Sequence, residues 1–113
     1  MKDGLTHDEL EQLLGRQEVP TGSPPAPSLA VIYFTAKWCG ACKKLDLAAI
    51  EAALPEAAWY KCDVDANTYS PGYCGIRSIP AFLVVRDKKP VGPLGSALTE
   101  KVVSWLQQHR SSK

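Results

Sequence analysis

The run LAVIYFTA, residues 29 to 36, is apolar at almost every step and rich in β-branched and aromatic side chains. A half-exposed strand alternates apolar with polar residues, and this one does not. It reads as a buried strand covered on both faces. Whatever the rest of the chain does, it has to supply two covering layers. The order of the remaining elements is consistent with that demand.

LTHDELEQLLG reads as a helix over residues 1 to 15, with Thr6 as cap, Glu9 completing a capping box and Gly15 as a stop. RQEVPTGSPPAPS, within residues 16 to 28, carries four prolines and reads as a surface loop. ACKKLDLAAIEAAL reads as one continuous helix ended by Pro55, with Leu45, Ala49 and Ala52 or Ala53 toward the core. AAWYKCDVDA is a second strand, NTYSPGYCGI a short irregular segment, and IPAFLVVRD a third strand entered through Pro80. KKPVG reads as a turn before a short fourth strand around Val91. SALTEKVVSWLQQHR closes the chain as an amphipathic helix, with Leu98, Val102, Trp105 and Leu106 on one side. Strands that alternate with helices should pair in parallel, and the last two strands should form a hairpin. The expectation is an α/β fold with a mixed sheet between helices, built as one domain from 113 residues.

Formal charge is +1, with 13 basic and 12 acidic side chains, which gives no electrostatic surface for nucleic acid or anionic membrane. No apolar run approaches the ~20 residues of a membrane helix. The polar start MKDGLTHDELEQLLG does not read as a signal peptide. A reducing, cytoplasmic compartment is therefore expected, where cysteines serve as thiols, ligands or redox groups rather than staples.

Directly after the first strand comes KWCGACKK, residues 37 to 44. Cys39 and Cys42, at a strand-to-helix junction, would meet free N–H groups and the positive end of a helix dipole, which favour a thiolate. Cys39 should face solvent and Cys42 should be more buried. The spacing lets the sulfurs form a reversible disulfide. Trp38 and Gly40 then read as a flat cover and a tight turn. Zinc or iron–sulfur ligation is the weaker reading, because Cys62 and Cys74 are separated by eleven residues and His7 and His109 lie at the chain ends. A purely structural disulfide is weak for the compartment reason above. No metal or other cofactor is called for.

With these residues in view, the chain resembles the thioredoxin family. WCGACK is similar to that family's Trp-Cys-Gly-Pro-Cys-Lys site. KCDVDAN resembles its lysine-bearing strand, YCGIRSIPAFLVV the segment leading through its cis-proline, and GPLGSALTEKVVSWL its last strand and helix. The likeness covers residues 29 to 108. It implies the thioredoxin fold, with about four strands here because the family's opening strand has only MKDGL to form from. It implies Cys39 as nucleophile and Cys42 as resolving cysteine, joined when oxidised as a Cys39–Cys42 disulfide. In the family the bond at the position of Ile79–Pro80 is cis, and the backbone before the proline pairs with an extended substrate. Trp38, Gly75, Ile76, Gly92 and Gly95 would line that surface.

Two positions depart from the family. Ala41 replaces a proline, which restores an N–H expected to bond the thiolate and make the disulfide more oxidising. Tyr33 stands where the family buries an aspartate that shuttles the Cys42 proton, and a phenol with pKa about 10 is a poor base near neutrality. Lys61 keeps its strand position. Cys62 and Cys74 are extra, and read as buried, inert thiols. The resemblance implies a protein-disulfide reductase active in electron transport and cell redox homeostasis. Its partners would be disulfide-containing proteins and a flavoprotein reductase or glutathione system for recycling, and the chain would act as a monomer. The alternative is a thioredoxin-fold binding or redox-sensing module with little turnover, for which Tyr33 is the argument.

Overall fold

In the computed structural model, which describes residues 1–110, the apolar run forms strand β1, Leu29–Thr35, and all seven of its residues are buried. Its side chains alternate between two apolar clusters. Leu29, Val31 and Tyr33 enter one, and Ala30, Ile32 and Phe34 enter the other. The continuous run is thus two interleaved core faces.

Around β1 the sheet has the order β2-β1-β3-β4. Strand β2, Ala58–Asp63, is parallel to β1 and places Lys61 opposite Tyr33. Strand β3, Ala81–Arg86, is antiparallel to β1 on its other side and places Phe82 opposite Tyr33. Strand β4, Lys89–Gly95, pairs antiparallel with β3. The thioredoxin-type mixed sheet expected from the sequence is present.

The first face is covered by helices α2, Leu47–Ala52, and α4, Thr99–Gln107. Ile50, Val102 and Leu106 pack there with Val31, Tyr33 and Phe82. The second face is covered by α1, His7–Leu13, through Leu10 and Leu13. Helix α3, Ser70–Tyr73, docks against α1, where the His7 ring meets Tyr69 and Tyr73 edge-on and His7 Nδ1 lies 2.9 Å from Ser70 Oγ. Each fully buried Leu, Ile or Phe of these clusters contributes roughly 1.5–3 kcal/mol. Among the described residues, no helix is long and apolar enough to cross a membrane.

The capping box is formed: Thr6 Oγ1 accepts from the Glu9 N–H and the Glu9 carboxylate accepts from the Thr6 N–H. The helix is shorter than expected because Lys2 joins the sheet instead. Its N–H donates to the Trp59 carbonyl and its carbonyl accepts from the Lys61 N–H, an isolated bridge where an opening strand would lie.

Four expectations are corrected. The segment from Ala41 to Leu54 is not one helix. A single 3-10 turn, Cys42–Lys44, is followed by an extended Leu45 with ψ 139°, and a new helix starts after Asp46. Asp46 accepts from the Ala49 N–H and donates its own N–H to Thr99 Oγ1 of α4, so the break is held from across the fold. Ile50, Ala53 and Leu54 fill the core beside Leu45, while Ala49 and Ala52 are exposed. The hairpin turn is Asp87–Lys88, both with positive φ as a two-residue primed turn requires, and β4 already begins at Lys89. Leu98 precedes α4 and is exposed, whereas Val102 and Leu106 are buried.

Candidate active site

Cys39 and Cys42 form a disulfide just beyond the end of β1, with Cα atoms 5.3 Å apart. The Cys39 N–H donates to the Ala36 carbonyl at 3.1 Å, which turns the chain back as it leaves the strand. The Cys42 N–H then donates to Cys39 Sγ at 3.1 Å. After reduction this donor faces the developing thiolate, and hydrogen bonds to an ionised acceptor are the strong kind. The sulfur is therefore supported by one backbone N–H. The expected helix dipole is not aimed at it, because α2 begins five residues past Cys42.

Cys39 was expected to face solvent and does not. The two residues are 4% and 6% exposed, and both lie in the first apolar cluster. The neighbours carry the exposure instead. Gly40 is exposed, and Trp38 is 67% exposed with its indole N–H donating to Asp65 Oδ2 at 2.7 Å. Trp38 is thus a tethered, accessible surface beside the sulfurs. Ala41 is half-buried against the same cluster, with φ −64°. The N–H that reaches Cys39 belongs to Cys42, not Ala41, which corrects the expected effect of the missing proline.

Tyr33 is 2% exposed and stacks on Phe82, with ring centroids 5.0 Å apart. Burial pushes its phenol above the ordinary value of 10, so it holds its proton at neutral pH. The Lys61 ammonium across β2 lies 3.7 Å from the Asp3 carboxylate and is partly exposed. Asp3, Lys61 and Lys37 share a recess of about 380 Å³ with Thr35, Ala36 and Asp63, next to the active-site turn.

Pro80 is buried directly before β3, and the Ile79–Pro80 bond is cis. Ile79 packs against the cluster that holds both sulfurs, and no described backbone hydrogen bond occupies its N–H or carbonyl. Gly95 lies opposite Ala81, and a Cβ there would come within 3.9 Å of the Pro80 carbonyl. Gly75 ends α3 with φ +76°, and Ile76 is half-buried against the second cluster. Gly92 is different from these. Its φ is +105°, and a Cβ would stand 3.0 Å from the Trp105 ring, so it is a packing glycine under α4. Asp65 and Asp46 were not singled out from the sequence. The signal for Asp46 was available, since an aspartate three residues before Ala49 is a helix cap.

Cys62 is fully buried and Cys74 is half-buried, both free thiols on the second face. Burial pushes each thiol up to about 11; Cys74 and Asp63 push Cys62 the same way, while Arg16 pulls Cys74 back down. They hold their protons near neutrality and are poor nucleophiles, as expected.

A family model described as Thioredoxin matches residues 24–108. The chain is 33% identical over 88 residues to a thioredoxin of Chlamydia muridarum, covering 75% of this chain and 86% of that protein. It is similar in structure to the thioredoxin of Fasciola hepatica, with TM-score 0.77, 26% identity, and coverage of 97% and 100% of the two chains. It also resembles a chain, with TM-score 0.66 and 26% identity, from a study of thiol resolution in a yeast mitochondrial 1-Cys peroxiredoxin by glutathione and thioredoxin systems; 72% of this chain and 78% of that one are covered.

Proposed function

The chain belongs to the thioredoxin family and is a thiol–disulfide oxidoreductase, and from that premise we propose that it works as a reductase of protein disulfides, with Cys39 as nucleophile and Cys42 as resolving cysteine. The Cys39 thiolate attacks one substrate sulfur. The substrate S–S bond breaks, one substrate thiolate leaves, and a mixed disulfide forms. Cys42 loses its proton and attacks Cys39 Sγ, and the second substrate thiolate leaves. Two electrons have passed to the substrate, the leaving thiolates take up protons, and the Cys39–Cys42 disulfide remains. The observation that carries this reading is the Cys42 N–H on Cys39 Sγ beside the unoccupied Ile79 backbone.

Trp38, Gly40, Ala41 and the Ile79–Pro80 edge, with Gly75, Ile76 and Gly95 around it, are the substrate surface in this proposal. An extended substrate segment would pair with the Ile79 backbone as an added strand. Tyr33 takes no proton; Cys42 gives its proton to water or to the leaving thiolate, with Lys61 as the nearby cation. A flavoprotein reductase or the glutathione system returns the electrons. The protein acts as one monomeric domain, with residues 29–108 as its core, in electron transport and redox homeostasis. Two free thiols on the second face fit a reducing, cytoplasmic setting.

A second reading, a binding or redox-sensing module with little turnover, is favoured by Tyr33 in place of an acid. Insulin reduction driven by dithiothreitol separates the two. Catalytic precipitation of insulin at substoichiometric protein supports the reductase. A mixed disulfide that forms but does not turn over supports the module.

A further inference from the structure

The segment that leads into the Ile79–Pro80 edge hangs from a poor helix. Helix α3, SPGY, is four residues long and holds a proline and a glycine, and its N-cap residue Tyr69 makes no side-chain capping bond. Asn67 supplies what the helix lacks. Its Oδ1 accepts the Ser70 N–H at 3.1 Å, and its Nδ2 donates to Ser70 Oγ at 2.8 Å and to the Leu5 carbonyl at 3.1 Å. Leu5 in turn donates its own N–H to the Lys61 carbonyl of β2 at 3.0 Å. Ser70 is fully buried, with His7 Nδ1 2.9 Å from the same Oγ. One half-buried side chain therefore ties α3 to the sheet through the N-terminal segment. Downstream, the Gly75 N–H donates to the Gly72 carbonyl at 3.1 Å and the Ile76 N–H to the Pro71 carbonyl at 2.8 Å. Among the described residues, these are the only backbone hydrogen bonds made by residues 75–79.

Resting on the reductase reading, we propose that Asn67 is a positioning residue for substrate. It sets the placement of residues 75–80, and with it the binding of an extended disulfide segment, without touching either sulfur. An edge that pairs through its backbone needs its donors and acceptors held in place before the partner arrives. Without the Asn67 side chain the Ser70 N–H loses its acceptor and the buried Oγ loses a donor, so α3 frays. The cost of ordering the edge then falls on substrate binding. Attack by Cys39 depends on the Cys42 N–H, which Asn67 does not contact.

The test mixes pre-reduced protein, in single turnover, with rising concentrations of a synthetic peptide closed by a disulfide. A parallel series uses hydroxyethyl disulfide, which has no backbone to pair. Asn67→Ala should raise the half-saturating peptide concentration about five-fold, with the maximal rate and the rate on hydroxyethyl disulfide within about two-fold of wild type. The Ile76 amide should exchange with solvent about ten-fold faster while the amides of β1 keep their protection. Asn67→Asp keeps an oxygen for the Ser70 N–H but turns its other oxygen toward the Leu5 carbonyl. It should fold with its helix capped and still weaken peptide half-saturation, and it carries the same test if the alanine variant does not fold. Half-saturation unchanged in the folded variants would overturn the proposal and leave the reductase reading standing. Equal losses on the peptide and on hydroxyethyl disulfide would overturn it too, since they mark a disturbance of the sulfurs rather than of the edge. A wild-type protein that reduces neither disulfide would overturn the reductase reading itself.

Discussion

The two faces of the sheet each hold two cysteines, and all four are at least half-buried. On the first face Cys39 and Cys42 are joined, and the Cys42 backbone N–H points at the Cys39 sulfur. On the second face Cys62 and Cys74 are free thiols pushed up to about 11 by burial. Accessibility of the residue does not separate the pairs, since Cys39 at 4% is more buried than Cys74. What separates them is a donor for the charged sulfur and an exposed loop around it. Reactivity in this fold is a property of where the chain turns.

The hardest test of that contrast is deletion. Cys39→Ser or Cys42→Ser should lower insulin reduction by more than roughly a thousand-fold, because no other group can take either role. Cys42→Ser should also trap mixed disulfides. Cys62→Ala and Cys74→Ala should stay within about two-fold of wild type. A Cys74→Ala protein that folds but loses turnover would erase the distinction between the faces.

Next in size is Tyr33→Asp. The carboxylate would enter a closed, apolar site and lose the stacking on Phe82, costing about 3–5 kcal/mol by urea denaturation. Tyr33→Phe should leave the pH–rate profile of reduction unchanged, since the phenol is protonated throughout the neutral range. A shifted profile would make the hydroxyl a participant.

Titration sharpens the contrast further. In the reduced protein Cys39 should be alkylated by iodoacetamide at mildly acidic pH. Cys62 and Cys74 should react about ten-fold faster per pH unit until near 11. Their raised values also set a sign for stability. Unfolded thiols lose protons from about 9 and folded ones from about 11, so the unfolded state is favoured as pH rises across that window. Melting temperature should fall between pH 9 and 11, and less steeply in a Cys62→Ala/Cys74→Ala protein. The smallest effect is Ala41→Pro. With φ already −64° and the Cys42 N–H retained, proline fits, stabilises by about 0.4–1 kcal/mol, and moves the redox potential little by glutathione equilibration. A large negative shift would restore the idea that the residue-41 N–H tunes the couple.

Much of this was legible from local pattern. The β1 run, the Thr6–Glu9 box, the Cys39–Cys42 spacing and the segment through Pro80 each carry their signal within a few residues. The rest depends on distant partners. The helix breaks at Asp46 because its N–H finds Thr99, 53 residues away. Gly92 is needed because Trp105 arrives from α4. Cys39 is buried by packing with the first cluster, which no stretch of eight residues reveals. The turn at Asp87–Lys88 was misread because its left-handed pair contains no glycine.

The borders of the sheet bear on how this protein survives its own work. A disulfide reductase collides repeatedly with partly opened chains, whose extended segments look for a strand to join. Lys2 occupies the β2 border, taking the Lys61 N–H and the Trp59 carbonyl. The β4 border carries Pro90 and Pro93, which have no N–H to lend a new neighbour. Neither rim offers a free row of backbone donors and acceptors to an added strand. Clipping the first four residues would uncover a sticky seam, and light scattering in the presence of reduced insulin would register the fusion of catalyst with clot.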